Sequence, residues 1–167
     1  MLILYNPPSN ARRKPVLPMS LLALGALLEG RYDYRIVDGN LEPDPAAALD
    51  RAIRETGARF LGVTVMPGPQ LSHAVPLCRQ IKARHPELTI VWGGYFPTQH
   101  YEVCLRADFV DYVVRGHGEV TFLALLDALR DGADPCTIPG LAYRHPDSGE
   151  IVTTGMPPIP HPDRLPD

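Results

Sequence analysis

Short apolar runs and amphipathic stretches alternate from the first residues of this chain, and that alternation restricts its fold more than any other feature. Leu2-Ile3-Leu4-Tyr5, Tyr34 to Val37, Phe60 to Val65, Leu88 to Trp92 and Asp111 to Val114 read as strands. Each is closed by breakers: Asn6-Pro7-Pro8, Asp38-Gly39-Asn40, Met66-Pro67-Gly68-Pro69, Gly93-Gly94 and Gly116-His117-Gly118. Between them, helical spacing recurs. Pro18 suits a first turn, Leu21, Leu24, Gly25 and Leu28 share one face, and Gly30 ends the segment. Asp44 reads as an N-cap before Pro45, and Gly57 as the closing glycine after Thr56. A third helix is expected to start near Ser72, so that Pro76 falls where helical N–H groups have no partner, and to stop at Pro86. A short helix is expected over Gln99 to Leu105, and a longer one carries Phe122, Leu123, Leu126 and Leu129 to Asp131-Gly132.

Strand–helix alternation of this kind demands a parallel sheet with right-handed crossovers. The expected fold is α/β: a doubly wound five-stranded parallel sheet in the flavodoxin-like order 2-1-3-4-5. The tail breaks the pattern. Leu141-Ala142-Tyr143 and Glu150 to Thr153 flank the turn-rich His145 to Gly149 and read as a β-hairpin. Beyond Met156, Pro157, Pro158, Pro160, Pro162 and Pro166 forbid helix and central strand, which reads as an extended linker. The expected division is 1–135 for the sheet domain, 136–155 for the hairpin and 156–167 for the linker. A linker there implies a fragment of something longer.

Composition excludes several functions. Lys plus Arg number 16 against 19 Asp plus Glu, a net charge of −3, so no basic excess points to nucleic acid. No run of 18 apolar residues would span a membrane. Cys78, Cys104 and Cys136 are too widely spaced for a zinc or disulfide framework, and a reducing cytoplasm is the default compartment. Six histidines show no metalloprotease spacing, and no nucleophile–base pair is legible.

In an open parallel sheet, ligands bind at the carboxyl ends of the strands. Here Gly93-Gly94 and Gly116-x-Gly118 stand at neighbouring ends, where glycine lets a ligand approach the backbone, although such turns use glycine in any case. A receiver domain would need acidic residues after the first strand, and an FMN domain a hydroxyl-rich loop; Asn6-Pro7-Pro8-Ser9 is neither. Gly116-x-Gly118-x-x-Thr121 is an incomplete dinucleotide pattern after the wrong strand.

One family matches the order of these pieces. Leu2 to Pro8, Leu17-Pro18-Met19-Ser20-Leu21, Val91-Trp92-Gly93-Gly94, Pro97-Thr98, Val110 to Glu119 with Thr121, and Ile138 to Arg144 together resemble the N-terminal cobalamin-binding domain of B12-dependent radical SAM proteins, a group of methyltransferases and magnesium-protoporphyrin monomethyl ester oxidative cyclases. The resemblance covers the whole chain. It implies a cobalamin-binding module of a larger enzyme for methyl transfer or oxidative cyclisation, not catalytic alone, whose partner is its own C-terminal radical SAM domain. The 4Fe-4S cluster and SAM would belong to that missing domain, since no Cys-x3-Cys-x2-Cys motif occurs in these residues.

The resemblance also implies a site. Asn6, Pro7 and Pro8 would lie beneath the corrin, and Thr64, Val65 and Met66 along the nucleotide tail, with Thr64 as a hydrogen-bond partner. Gly93 and Gly94 would leave room for the tail, where Gly62 also suggests space, Gly116 and Gly118 would close the rim, and Thr98 and Glu119 complete the set. A bulky replacement at Gly93 or Gly94 is expected to block binding and spare the fold. Related domains place a cobalt-ligating histidine after the first strand; Asn6-Pro7-Pro8-Ser9-Asn10-Ala11 has none, which implies base-off cobalamin without a protein imidazole. His117 stands where the family usually has glutamate, and is expected to be a solvent-facing loop residue. Two other readings are a cofactor-free interaction domain of the same architecture and, more weakly, a nucleotide binder.

Overall fold

A computed structural model describes residues 1–9 and 16–156. Arg12, Arg13 and Lys14 of the first loop, and the prolines beyond Met156, lie outside the described residues.

Seven strands form one sheet: β1 Leu2–Asn6, β2 Tyr34–Asp38, β3 Phe60–Thr64, β4 Thr89–Gly93, β5 Tyr112–Val114, β6 Leu141–Arg144 and β7 Ile151–Thr153. Their spatial order is β2-β1-β3-β4-β5-β6-β7. The first five run parallel in the order 2-1-3-4-5, and the expected hairpin joins β5 antiparallel as an extension of the same sheet. The helices are α1 Met19–Leu28, α2 Pro45–Thr56, α3 Pro69–Arg84, α4 Tyr95–Gln99, α5 Tyr101–Leu105 and α6 Gly118–Asp131.

Side chains alternate across each strand, so the sheet buries two separate faces. Ile3, Tyr5, Leu61, Val63, Ile90 and Trp92 point to the layer that α2 and α3 cover, with Leu49, Ile53, Cys78 and Ile81 packed against them. Leu2, Leu4, Val91 and Val114 point to the other layer, where Leu21, Leu28, Phe122, Leu125 and Leu126 of α1 and α6 meet them. Burying each such side chain contributes roughly 1.5–3 kcal/mol.

The local signals explain most boundaries. Asp44 Oδ1 accepts from the Ala47 N–H at 3.0 Å, Pro45 takes the first helical position, and Gly57 closes α2 at φ 60°. The third helix differs from expectation. It begins at Pro69, three residues before Ser72, because Gly68 at φ 89° lets the chain enter the helix immediately. Pro76 therefore lies in the helix interior and gives the Ser72 carbonyl no N–H. Both residues are exposed, so water can take that role. The short helix expected over Gln99 to Leu105 is α5, Tyr101–Leu105, and a further short helix, α4, precedes it, the two parted at His100, whose φ is −125°.

Candidate functional site

Five parallel strands carry their carboxyl ends to one edge. There, β1 and β2 are tied by a polar network. Asn6 Nδ2 donates to Asp38 Oδ1 at 2.9 Å, and Gln70 Nε2 donates to Asn6 Oδ1 at 2.9 Å and to the Pro7 carbonyl at 3.1 Å. Gln70 Oε1 in turn accepts from the Met66 N–H at 3.0 Å. Asn6 is buried, and its amide is engaged within the protein. Its role in the structure is to lock the turns after β1, β2 and β3 together. Gln70, the hub of that lock, was not singled out from sequence.

The adjacent strands carry something different. Register pairs Gly62 of β3 with Val91 of β4, and Thr64 with Gly93. All four positions face the α1–α6 layer, so the sheet presents two glycines where side chains would otherwise fill space. Above them α1 lies on β1 and β2, α6 lies on β5, and the two helices meet at a seam. Beneath that seam is a cavity of about 150 Å³. Gly62, Thr64, Val91, Gly93 and Gly94 line it from the sheet. Ser20, Leu21 and Leu24 of α1 form one wall; Val114, Gly116, His117, Gly118, Glu119 and Phe122 form the other. A space of ~150 Å³ walled mainly by apolar side chains is large enough for a single aromatic ring.

Three details define it. A Cβ at Gly62 would stand 3.0 Å from Phe122 Cζ, so the missing side chain is what lets the Phe122 ring lie against β3. Ser20 Oγ donates to Thr64 Oγ1 at 3.4 Å across the opening. Among the described residues, Glu119 Oε2 is buried without a hydrogen-bond partner, an acceptor open to a donor.

Of the residues named from sequence, Thr64, Gly93, Gly94, Gly116, Gly118 and Glu119 converge on this cavity. Asn6, Pro7 and Pro8 stand at the β1 end of the same edge, outside the cavity wall. Val65 is fully buried, its N–H donating to the Gly93 carbonyl at 2.8 Å, whereas Met66 is exposed. Thr98 bridges the two glycine turns: its Oγ1 donates to the Gly94 carbonyl at 2.8 Å and accepts from the Gly116 N–H at 3.0 Å. His117 is exposed and lies on the cavity wall.

Gly93 and Gly94 have separate reasons to be glycine. Gly94 sits at φ 99°, and a Cβ there would meet the Val65 carbonyl oxygen at 3.0 Å. At Gly93 the nearest atom to an added Cβ is the Val114 carbonyl oxygen at 3.8 Å, an ordinary contact. Turn geometry requires the first, and only the cavity explains the second. Leu21, Leu24, Val91, Val114 and Phe122 were legible only as core positions; Gly62, Gly93 and Gly94 were legible as small residues leaving space, and the same-face pairing of Gly62 and Gly93 on neighbouring strands gives that space its walls.

The family model for the B12 binding domain matches residues 11–126, more than half of the chain. The chain belongs to the B12-binding domain family. An anaerobic magnesium-protoporphyrin IX monomethyl ester cyclase of a Synechocystis species is 28% identical over 163 residues, covering 92% of this chain and 32% of that protein. An uncharacterized methyltransferase of Pyrococcus horikoshii is 28% identical over 178 residues, covering 99% of this chain and 39% of its own. This B12-binding domain thus spans about a third of the length of these relatives. Among solved structures, the cobalamin-dependent SAM radical enzyme OxsB with aqua-cobalamin and SAM bound shares its fold at a TM-score of 0.82 and 19% identity, over 95% of this chain and 22% of that one. Among the described residues of the B12-binding domain, no helix is long and apolar enough to cross a membrane.

Proposed function

We propose that this B12-binding domain carries a cobamide, with the corrin over the carboxyl ends of β1 to β5 and the nucleotide base in the slot beneath the α1–α6 seam. The observation that supports this most is the slot itself: Gly93 has no need of glycine except to keep it open. Apolar walls from Leu24, Val91 and Phe122 would hold an aromatic base, and the unpartnered Glu119 oxygen would accept from a hydroxyl or amide of the tail. When bound, the cofactor supplies a cobalt centre able to carry a methyl group. The residues of this domain hold it, orient it and keep water from its base.

The parent enzyme would be a radical SAM methyltransferase or oxidative cyclase, with residues 1–135 as the cofactor domain, 136–155 as the edge hairpin and 156–167 as the link to the catalytic domain. The iron–sulfur cluster and SAM would reside in that domain. Purified chain mixed with hydroxocobalamin should keep a red chromophore through gel filtration. No retention, and no heat or absorbance change at cobalamin concentrations well above micromolar, would contradict the reading.

The bound cofactor would be base-off. A base seated in the slot is held away from cobalt, and the Asn6-Pro7-Pro8 turn has no imidazole to replace it. Electron paramagnetic resonance of the cob(II)alamin complex should lack nitrogen superhyperfine splitting. Splitting that disappears in His117→Ala would make His117 a ligand instead, since neutral imidazole is a common metal donor. Splitting that persists in that variant would mean the base remains on cobalt.

A further inference from the structure

We infer that the slot selects among cobamides by the polarity of their lower base, admitting a benzimidazole and rejecting a purine. This rests on the reading of the chain as a cobamide carrier. Strand register orders the slot by depth. Gly62 and Val91 are mid-strand partners, whereas Thr64 and Gly93 are the last residues of β3 and β4. The deep end is therefore bounded by Gly62, Val91 and the Phe122 ring, with Leu24 on the α1 side. None of these side chains offers a donor or an acceptor. The backbone there offers none either, because Gly62 lies between β1 and β4 and its N–H and C=O belong to the parallel ladders. The polar side chains, Ser20, Thr64, His117 and Glu119, stand at the mouth, on the last residue of β3, the first turns of α1 and α6 and the residue that precedes α6.

A base attached through its sugar at the mouth sends its far edge deepest. In 5,6-dimethylbenzimidazole that edge is two methyl groups on carbon. In adenine it is an amine beside ring nitrogens, which would be buried without partners, an unfavourable exchange for water. The two bases are similar in size, so polarity makes the distinction.

Absorbance titration of the chain with cobalamin, an adenine-bearing cobamide and baseless cobinamide tests this. Cobalamin should bind more tightly than the adenine cobamide by about tenfold or more, and the adenine cobamide no more tightly than cobinamide. Val91→Thr places a hydroxyl at the deep end at nearly constant volume and should narrow the gap by strengthening the adenine cobamide. Gly62→Ala drives Phe122 into the slot and should reduce cobalamin to the affinity of cobinamide, which stays unchanged. An adenine cobamide that matches or exceeds cobalamin would overturn the selectivity. Equal binding of all three would show a corrin carrier whose base lies elsewhere and would also overturn it. No binding of any of the three by chain with native circular dichroism would overturn the carrier reading itself.

Discussion

The two faces of the sheet are built from the same strands and differ in what they leave open. Toward α2 and α3 the strands offer Leu61, Val63, Ile90 and Trp92, and helix side chains such as Leu49, Cys78 and Ile81 fill the layer. This face is also clamped by charge: the buried Asp50 carboxylate accepts from His85 Nε2 at 2.8 Å and pairs with Arg54 Nη2 at 2.5 Å. Toward α1 and α6 the same strands offer Gly62, Thr64 and Gly93, and the helices meet above a cavity. One face is spent on stability. The other gives up packing at its centre.

The largest contrast should come from truncating each face. Ile81→Ala in the filled layer should cost about 2–5 kcal/mol in urea unfolding, since a buried side chain leaves a cavity that cannot collapse. Leu24→Ala, on the wall of an existing space, should cost only about 1 kcal/mol. Equal losses would mean that the α1–α6 face is packed like its opposite.

The charge clamp gives the next effect. His85 above all, with help from Arg54 and Arg84, holds the Asp50 carboxyl below its ordinary 3.8. A carboxylate depressed by folding contributes stability that is present above the unfolded value and lost as pH falls through the folded one. Asp50→Asn should therefore cost about 1–3 kcal/mol at neutral pH and flatten the acid limb below 3.8, relative to wild type, in denaturant titrations against pH. An acid limb unchanged by the substitution would remove the clamp from the description of this face.

The adjacent glycines Gly93 and Gly94 differ in what a side chain would meet. Gly94→Ala should lose about 1–3 kcal/mol, because the substitution forces a side chain into a left-handed turn beside the Val65 backbone. Gly93→Ala should change thermal stability by about 0.5 kcal/mol or less while weakening cobalamin in a titration, because its Cβ enters the slot. A folded Gly93→Ala that binds normally would show the slot to be incidental. The expectation that either glycine could be replaced without harm to the fold treated them alike; their backbone angles divide them.

The alternation of runs and breakers made the strand order readable, because each apolar run was too short for a helix and each break carried Gly, Pro or Asn. Asp44-Pro45 and Gly57 bounded α2 for local reasons that need no tertiary context. Pro76 misled because it lies inside α3 at an exposed position, beside an exposed Ser72, and exposure cannot be read from spacing. At the site, the glycine-rich turns and the small residues Gly62, Gly93 and Gly94 were legible, but not the walls of the slot they open into. It arises from register between β3 and β4 and from how α1 and α6 meet, and no single segment carries either. Asn6 illustrates the same limit: it stands at the expected strand end, yet Gln70, 64 residues away, determines what its amide does.

A cofactor carried as proposed would enter through the α1–α6 face. Backbone amide shifts of isotope-labelled chain during titration with cobalamin report which face it meets. Gly62, Val91, Gly93, Val114 and Glu119 should move together and saturate, while Asp50, Ile81 and their neighbours in the filled layer stay in place. Shifts confined to the α2–α3 face, or none at all at saturating cobalamin, would contradict it.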